Sequence, residues 1–467
     1  MNTHYAKTTG SFGDSKSSRP RIVILGSGFA GAYTAQALHT LRRRLDADVL
    51  MIDHHNYFVF YPLLVEAGTG SLEPRHTVVP IRDFTGDCEF RMARVRRVDV
   101  EARIVTYRLI GSEEDEAVHY DQLVIALGSI TRLPREVLGL HKYGRQMKSL
   151  ADAVSLRDWA IELLERANAS PEASIRRALL RFVVVGGNFT GAEVAGEFDM
   201  FLKAATRRYP NLCREDCQIC LIEIDDRILR PLGGDLSTYA LHHLRKRGVD
   251  VRLESSVVEV HADHVTLVSN ERLDTHTVIW CAGIEPNPLI KSIEVPTDER
   301  GYILCERDLR VKSFDDVWAI GDGAVNINAE GRAYPATAQH ATRQGRHCAK
   351  NLFAVLEGRS TSPCDLADLG SLAGLGCRPG VARVFGFKFS GFLAWWLWRT
   401  VYWMKMPGLA RKARLSLDWT LDLFFSRDFV QLGVHRATDS FESLLTEETD
   451  ATEPEKVPLD STDPDSI

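Results

Sequence analysis

The stretch Arg21–Gly31, Arg-Ile-Val-Ile-Leu-Gly-Ser-Gly-Phe-Ala-Gly, constrains this chain more than any other. Ile22–Leu25 is a short apolar run of the kind that a parallel strand buried on both faces needs. Gly26, Gly28 and Gly31 then form G-x-G-x-x-G, with Phe29 and Ala30 inside the motif. Residues Ala32–Leu45 hold few breakers and read as a helix. The spacing has a mechanism. Gly26 permits a tight turn, Gly28 lets a pyrophosphate approach the backbone, and Gly31 lets helix pack on strand, while the helix N-terminus faces the phosphate. Val49–Asp53 reads as the next strand and ends in an acid, at the distance expected for an acceptor of a ribose hydroxyl. Strand, helix and Asp53 together predict a dinucleotide-binding unit rather than a glycine-rich turn in an unrelated α/β protein.

The pattern returns. Phe182–Val185 precedes Gly186-Gly187-Asn188-Phe189-Thr190-Gly191, a helical run follows, and the matching second strand, Ile219–Ile224, carries Glu223. The fold class is therefore α/β, with two nested Rossmann-like dinucleotide-binding domains. The middle glycine of the second motif is Asn188. Asn tolerates left-handed φ better than most residues, yet its side chain is expected to crowd the pyrophosphate; a degenerate, purely structural unit is the plain alternative. Tyr120–Ser129 and Val278–Gly283 read as buried strands ending in small-residue turns, at Ala126–Gly128 and Cys281–Gly283. Asp316–Ala324 delivers Asp322 between two glycines at an expected helix start. There its carboxylate is placed to accept from a ribityl hydroxyl, with a simple helix N-cap as the alternative. Thr337–Leu352 is predicted as a helix.

At 467 residues the chain is too long for a single core. Residues 437–467 hold ten acids and one Lys, which leaves 56 basic and 53 acidic residues elsewhere. Such a balance argues against nucleic acid as a partner, which calls for a concentrated basic surface. Nine Cys are scattered without a disulfide-type framework. Met1–Arg21 is polar and lacks the apolar core of a secretory signal, so a reducing cytoplasm is expected. No stretch reaches the roughly 18 uncharged apolar residues of a spanning helix. From Ser371 to Leu417 there is no acid, while cations and Trp, Phe and Tyr are dense. Gly391–Met406 reads as a helix with the composition of a membrane-interfacial segment; an aromatic dimer interface or a core-covering helix would read alike.

Two nested motifs and a terminal Gly-Asp motif resemble the two-dinucleotide-binding-domain flavoproteins, and the details resemble the type II NADH:quinone oxidoreductases. The residues that carry this are Gly26–Gly31, Pro62–Gly70, Tyr120–Gly128, Gly187–Glu197, Trp280–Gly283, Ala319–Asp322 and Thr337–Gln339, with Leu417–Phe425 near the end. The resemblance implies FAD in the first unit, NADH in the second and a membrane quinone as acceptor, on a peripheral enzyme at the cytoplasmic face of the inner membrane. It implies Asp53 on the adenine ribose of FAD, Asp322 at its ribityl-phosphate end, and Glu223 on the ribose of NADH. Gly26, Gly28, Phe29, Ala30, Gly31, Ala126, Gly128, Gly186, Gly187, Asn188, Gly191, Gly283, Ala338 and Gln339 are the further expected cofactor-binding positions. Glu193 matches a Glu that the family places near the nicotinamide–flavin stack, with helix-terminus electrostatics as the alternative. Gln339 matches a quinone-pocket glutamine, and Arg343 stands where the family often has another glutamine. No metal is expected, and a homodimer is allowed. The expected divisions are a leader at 1–20, an FAD-binding domain at 21–149 and 286–368, an NADH-binding domain at 150–285, a membrane-surface region at 369–436 and an acidic tail at 437–467.

Two rivals remain at this stage. A sulfide:quinone-type enzyme needs paired catalytic Cys, for which only Cys281 and Cys348 offer themselves; Cys213 and Cys217-x-x-Cys220 read as structural thiols. A flavin-binding membrane redox sensor with a decayed NADH site would keep the same first motif.

Overall fold

A computed structural model describes residues 19–41, 46–376 and 378–433. The acidic tail and nearly all of the polar leader lie outside the described residues. Two parallel sheets carry the two glycine motifs. The first runs Val317–Ala319, Gln122–Ile125, Arg21–Leu25, Asp48–Asp53, Glu89–Asp99, Ile104–Leu109 and Asp115–His119. Its first five strands are parallel and the last two fold back antiparallel. Arg21–Leu25 is central, and Ile22, Val23, Ile24 and Leu25 are fully buried, as the apolar run requires. The second sheet, all parallel, runs Gly144–Arg145, Thr277–Trp280, Arg181–Val185, Gln218–Ile222 and Asp250–Arg252. The chain passes between the sheets through Ser129–Thr131 and Ile284–Pro286, and these two strands pair with each other antiparallel.

Each motif strand feeds a helix, Phe29–Leu41 in the first unit and Phe189–Ala205 in the second. The first begins three residues earlier than the apolar pattern suggests. Leu150–Ala169 is a helix opened by a reciprocal capping box between Ser149 and Asp152. One expectation is corrected. No long helix starts at Asp322, because Gly321–Gly323 is a single 3-10 turn. Ala324–Val325 then extends and pairs with Ile303–Leu304, so the chain cannot coil there. The next helix is Ala338–Leu356, capped by Thr337.

The region after residue 369 holds more than the one helix read from sequence. Gly370–Gly374, Gly380–Val384 and Phe387–Gly391 form an antiparallel meander. Two helices follow, Phe392–Lys405 and Leu409–Phe424. Trp398, Met406, Leu415 and Trp419 join the core beside the first sheet, whereas Ala373, Leu375 and Val381 join the core beside the second. The C-terminal module is thus wedged against both. Residues past Phe424 return over the second unit, where Leu432 and Gly433 each donate a backbone N–H to Asp158 at 2.7 Å.

Helix Ala338–Leu356 locks onto helix Phe29–Leu41 at one glycine. A Cβ on Gly345 would overlap the Ala30 carbonyl, and Thr34 Oγ1 donates to the Gly345 carbonyl at 3.1 Å. Gly345→Val should therefore cost about 1–3 kcal/mol through overpacking, read as a lowered melting temperature.

Candidate active site

The first glycine loop is built by exclusion. A Cβ on Gly26 would strike the Ala126 carbonyl, and one on Gly31 would overlap the Gly26 carbonyl. Gly26 also needs its φ of 96°. Gly28 differs, for a Cβ there meets nothing within 4 Å. Its openness is the space a pyrophosphate needs, at the N-terminus of Phe29–Leu41. Gly128, with φ 68°, faces open space too. Asp53 closes the loop from the neighbouring strand. It accepts from the Ser27 N–H at 2.6 Å and the His55 N–H at 2.8 Å. Burial works against its charge, but hydrogen bonds from His54, His55 and Ser27 outweigh that and hold the carboxyl below its usual range. Phe29 and Ala30 are buried under the loop.

The second loop repeats this wiring. Glu223 accepts from the Gly187 N–H at 2.5 Å and the Asp225 N–H at 2.8 Å, the same two positions relative to its motif as for Asp53. A Cβ on Gly191 would overlap the Gly186 carbonyl, and one on Gly187 would press on Ile228 and Glu223. Gly186 backs onto Ala282, and Gly283 turns with φ 76°. Asn188 departs from expectation. Its φ is −73°, so no left-handed conformation is asked of it. Its side chain caps the helix instead: Oδ1 accepts from the Gly191 N–H at 3.0 Å and Nδ2 donates to the Cys281 carbonyl at 2.7 Å. The side chain is pinned against the strand turn and takes up one of the helix's unpaired amides.

Asp322 sits in the turn Gly321–Gly323, which packs against Ala30 of the first motif, and is mostly buried. Ser129 Oγ donates to it at 3.3 Å, and Lys148 Nζ donates to Ser129 Oγ at 3.2 Å. Burial raises the Asp322 carboxyl, and burial lowers the Lys148 ammonium. Tyr61 sits under Lys148, 5.6 Å from ring centre to Nζ, and burial pushes its phenol up to about 12. Gln344 holds the turn, its Oε1 accepting from the Gly321 N–H at 2.9 Å. Sequence reading missed Lys148, Tyr61 and Gln344 in these roles; no local motif marks them. Ala338 and Gln339 open the neighbouring helix, with Gln339 Nε2 donating to the Gly370 carbonyl at 3.4 Å. Arg343 donates to the Ala367 carbonyl at 2.7 Å and so braces the approach to the C-terminal module.

Glu193 is half-buried and faces that module. Its Oε1 accepts from the Gly374 N–H at 3.0 Å and from Trp398 Nε1 at 3.1 Å. Burial pushes its carboxyl up to about 8, against those two donors. The thiols are placed otherwise. Cys217, Cys220 and Cys348 are buried, Cys281 is half-buried, and no disulfide joins the described cysteines. Burial raises Cys217, Cys220, Cys281 and Cys348 away from the thiolate. Cys281 packs with the core beside the second sheet and Cys348 with that beside the first, so the pair needed for sulfide chemistry is not assembled.

Residues 20–345 match the pyridine nucleotide-disulphide oxidoreductase family, and residues 369–428 match the NDH2 C-terminal domain. The chain belongs to the type II NADH:quinone oxidoreductase family. A probable NADH dehydrogenase of Dictyostelium discoideum is 32% identical over 87% of this chain and 90% of its own length. The demethylphylloquinone reductase NdbB of Synechocystis sp. is 31% identical over 86% of this chain and 96% of its own. NDH2 from Plasmodium falciparum, solved in complex with NADH, shares the fold with a TM-score of 0.81 at 20% identity, over 88% of this chain and 100% of that one. Enzymes of this family use FAD and NADH, and the residues here fit both: one glycine cradle is open at Gly28 and closed by Asp53, and a second, rewired at Asn188, carries Glu223.

The two kinds of glycine separate cleanly in a test. Gly31→Ala should lower the melting temperature even of flavin-free protein. Gly28→Val should leave that melt nearly unchanged but reduce flavin retention by about tenfold or more, since only the open side is filled. Fluorescence of released flavin after gel filtration reads the difference.

Proposed function

We propose that this chain catalyses FAD-dependent, non-proton-pumping reduction of a membrane quinone by NADH. The observation that carries the reading is the matched wiring of two glycine loops, Asp53 on Ser27 and His55, and Glu223 on Gly187 and Asp225. FAD, held by the first loop, would supply the acceptor for hydride from NADH and the two-electron donor to the quinone. The chain's part is to hold and exclude. Gly28 and the first helix N-terminus receive the FAD pyrophosphate, Asp53 its ribose and Asp322 its ribityl end. Glu223 receives the ribose of NADH and repels a 2′-phosphate. Glu193 stands beside the stacked rings and Gln339 beside the quinone. We assign FAD to 21–149 and 286–368, NADH to 150–285, and membrane contact to 369–436.

The C-terminal module supports peripheral attachment, on the side of the membrane that supplies NADH. Its helices bury one face and leave the other bare, with Leu409 86% exposed and Phe424 77%, and Phe385 in the turn of the meander adds a further ring, 72% exposed. Lys412 and Arg414 flank these side chains, a pairing that suits an anionic lipid surface at about 1 kcal/mol per cation. Among the described residues no helix is long and apolar enough to cross a membrane. A homodimer is compatible with this arrangement.

Anaerobic NADH should bleach the flavin of the purified, lipid-supplemented protein, and added quinone should restore it; flavin that NADH leaves coloured would favour the redox sensor instead. Glu223→Gln should narrow the preference for NADH over NADPH by about tenfold, measured as the ratio of kcat/KM values. Leu409→Ser with Phe424→Ser should weaken sedimentation with anionic vesicles by about tenfold or more, since each apolar side chain contributes roughly 2 kcal/mol on burial.

A further inference from the structure

Three carboxyl groups meet where the two units and the C-terminal module join. Glu66 comes from the short helix Leu64–Gly68, and Glu193 and Glu197 from Phe189–Ala205. Together with Gly374, Trp395 and Trp398 they line a cavity of about 20 Å³. That volume holds one water molecule, and the carboxyls supply the polar partners it needs. Pro62, next to the Tyr61 that lies under Lys148, lines the same cavity. Every donor to the three carboxyls comes from residues 374–427. Trp419 Nε1 donates to Glu66 Oε2 at 2.8 Å, and the Arg399 guanidinium lies 3.6 Å from Glu66 Oε1. Glu193 accepts from Gly374 and Trp398, and Glu197 from Arg427 at 3.1 Å.

Charge counting shows what such a cluster must do. Arg427 is shared with Asp422 at 3.4 Å, so four carboxyls face two guanidinium groups. Arg427 serves Glu197 and Asp422, so Glu66 and Glu193 have Arg399 alone between them, and ionising both would leave one negative charge uncompensated. The other neighbours do not relieve this. Arg157, packed behind the Glu66 helix, spends its guanidinium on the Asp428 carbonyl, and His76 is paired with Asp418. The Tyr402 phenol is itself buried near Glu193. Arg399 is clamped between the Trp395 and Trp419 rings, 4.5 and 4.8 Å from their centres, and cannot swing to a second carboxyl. A proton is therefore held by Glu66 and Glu193 between them near neutral pH. Burial raises Glu66 to about 7 in spite of Arg399 and Trp419, in keeping with that count.

We propose that Glu66 is a positioning residue for quinone reduction, a proton-holding carboxyl that recharges Glu193 through the water-sized cavity, with Trp419 and Arg399 setting how tightly it holds its proton. The proposal rests on the functional reading above. Per turnover, NADH, one proton and quinone become NAD⁺ and quinol. The hydride brings two electrons and one proton, so one further proton comes from solvent. In the step proposed, the Glu66 O–H bond breaks as the cavity water takes its proton. Glu193, having given its proton to the reduced quinone, is left as a carboxylate; the cavity water passes it a proton in a new O–H bond, and solvent reprotonates Glu66. Because the donors sit on the C-terminal helices, the docking of the module sets the proton affinity of Glu66.

The test separates the two halves of the reaction in holoenzyme with lipid, by stopped flow across pH 5 to 9. In Glu66→Gln, bleaching by NADH should stay within about twofold of wild type. Reoxidation by a short-chain quinone should slow by about tenfold or more and lose one ionisation from its pH profile. Glu66→Asp should restore that ionisation. Trp419→Phe removes a donor to the carboxylate, so it should move the ionisation to higher pH, by about half a unit or more. An unchanged reoxidation profile in Glu66→Gln overturns the proposal alone. Equal slowing of both halves with a lowered melting temperature makes Glu66 structural, and also overturns it. A wild-type enzyme that NADH reduces but quinone does not reoxidise overturns the functional reading and the proposal with it.

Discussion

Backbone against backbone, with no side chain between, is the contact on which the molecule depends. Gly31 and Gly191 each lie so close to the carbonyl of the first glycine in their own motif that even a methyl group would collide. Helix and strand are brought together there, and the helix amides point at the space where a phosphate sits. The acids at the ends of the next strands then fix the loops by accepting two backbone N–H groups each. The loops are thereby ordered before any nucleotide arrives, and binding has less conformational entropy to overcome.

The first constraint was legible in the sequence because it is local. Gly26–Gly31 and Gly186–Gly191 each lie within a few residues of their strand and helix, so spacing alone carried them, and with them the two-sheet architecture. Asn188 shows the limit. Its type suggested a crowded phosphate, whereas the structure turns the amide into a helix cap held by Gly191 and Cys281. The cap depends on the Cys281 carbonyl, 93 residues away, which no spacing rule reaches. Asp322 was found, but its helix was misplaced because the pairing of Ala324–Val325 with Ile303–Leu304 is non-local.

The C-terminal module was the least legible part. Its composition marked a membrane-surface segment, yet composition cannot say which Trp is buried. Trp398 and Trp419 turn inward and donate to Glu193 and Glu66, while Trp396 and Trp403 stay exposed. The same residue type thus serves two solvents on opposite faces of one pair of helices. Glu66 reads from sequence as part of an ordinary turn-and-helix motif. Only the convergence of three segments on one small cavity shows its charge to be unusual.

The paired strands Ser129–Thr131 and Ile284–Pro286 carry a consequence of their own. The chain enters and leaves the second sheet side by side, so that the unit's covalent entry and exit run together in a single hydrogen-bonded ribbon. Removing or replacing the unit would leave a gap only one strand spacing wide, with little loop-closure entropy to overcome. An arrangement of this kind makes the half of the protein that carries the second glycine loop a cassette in the path of the chain, open to exchange by recombination at two adjacent points.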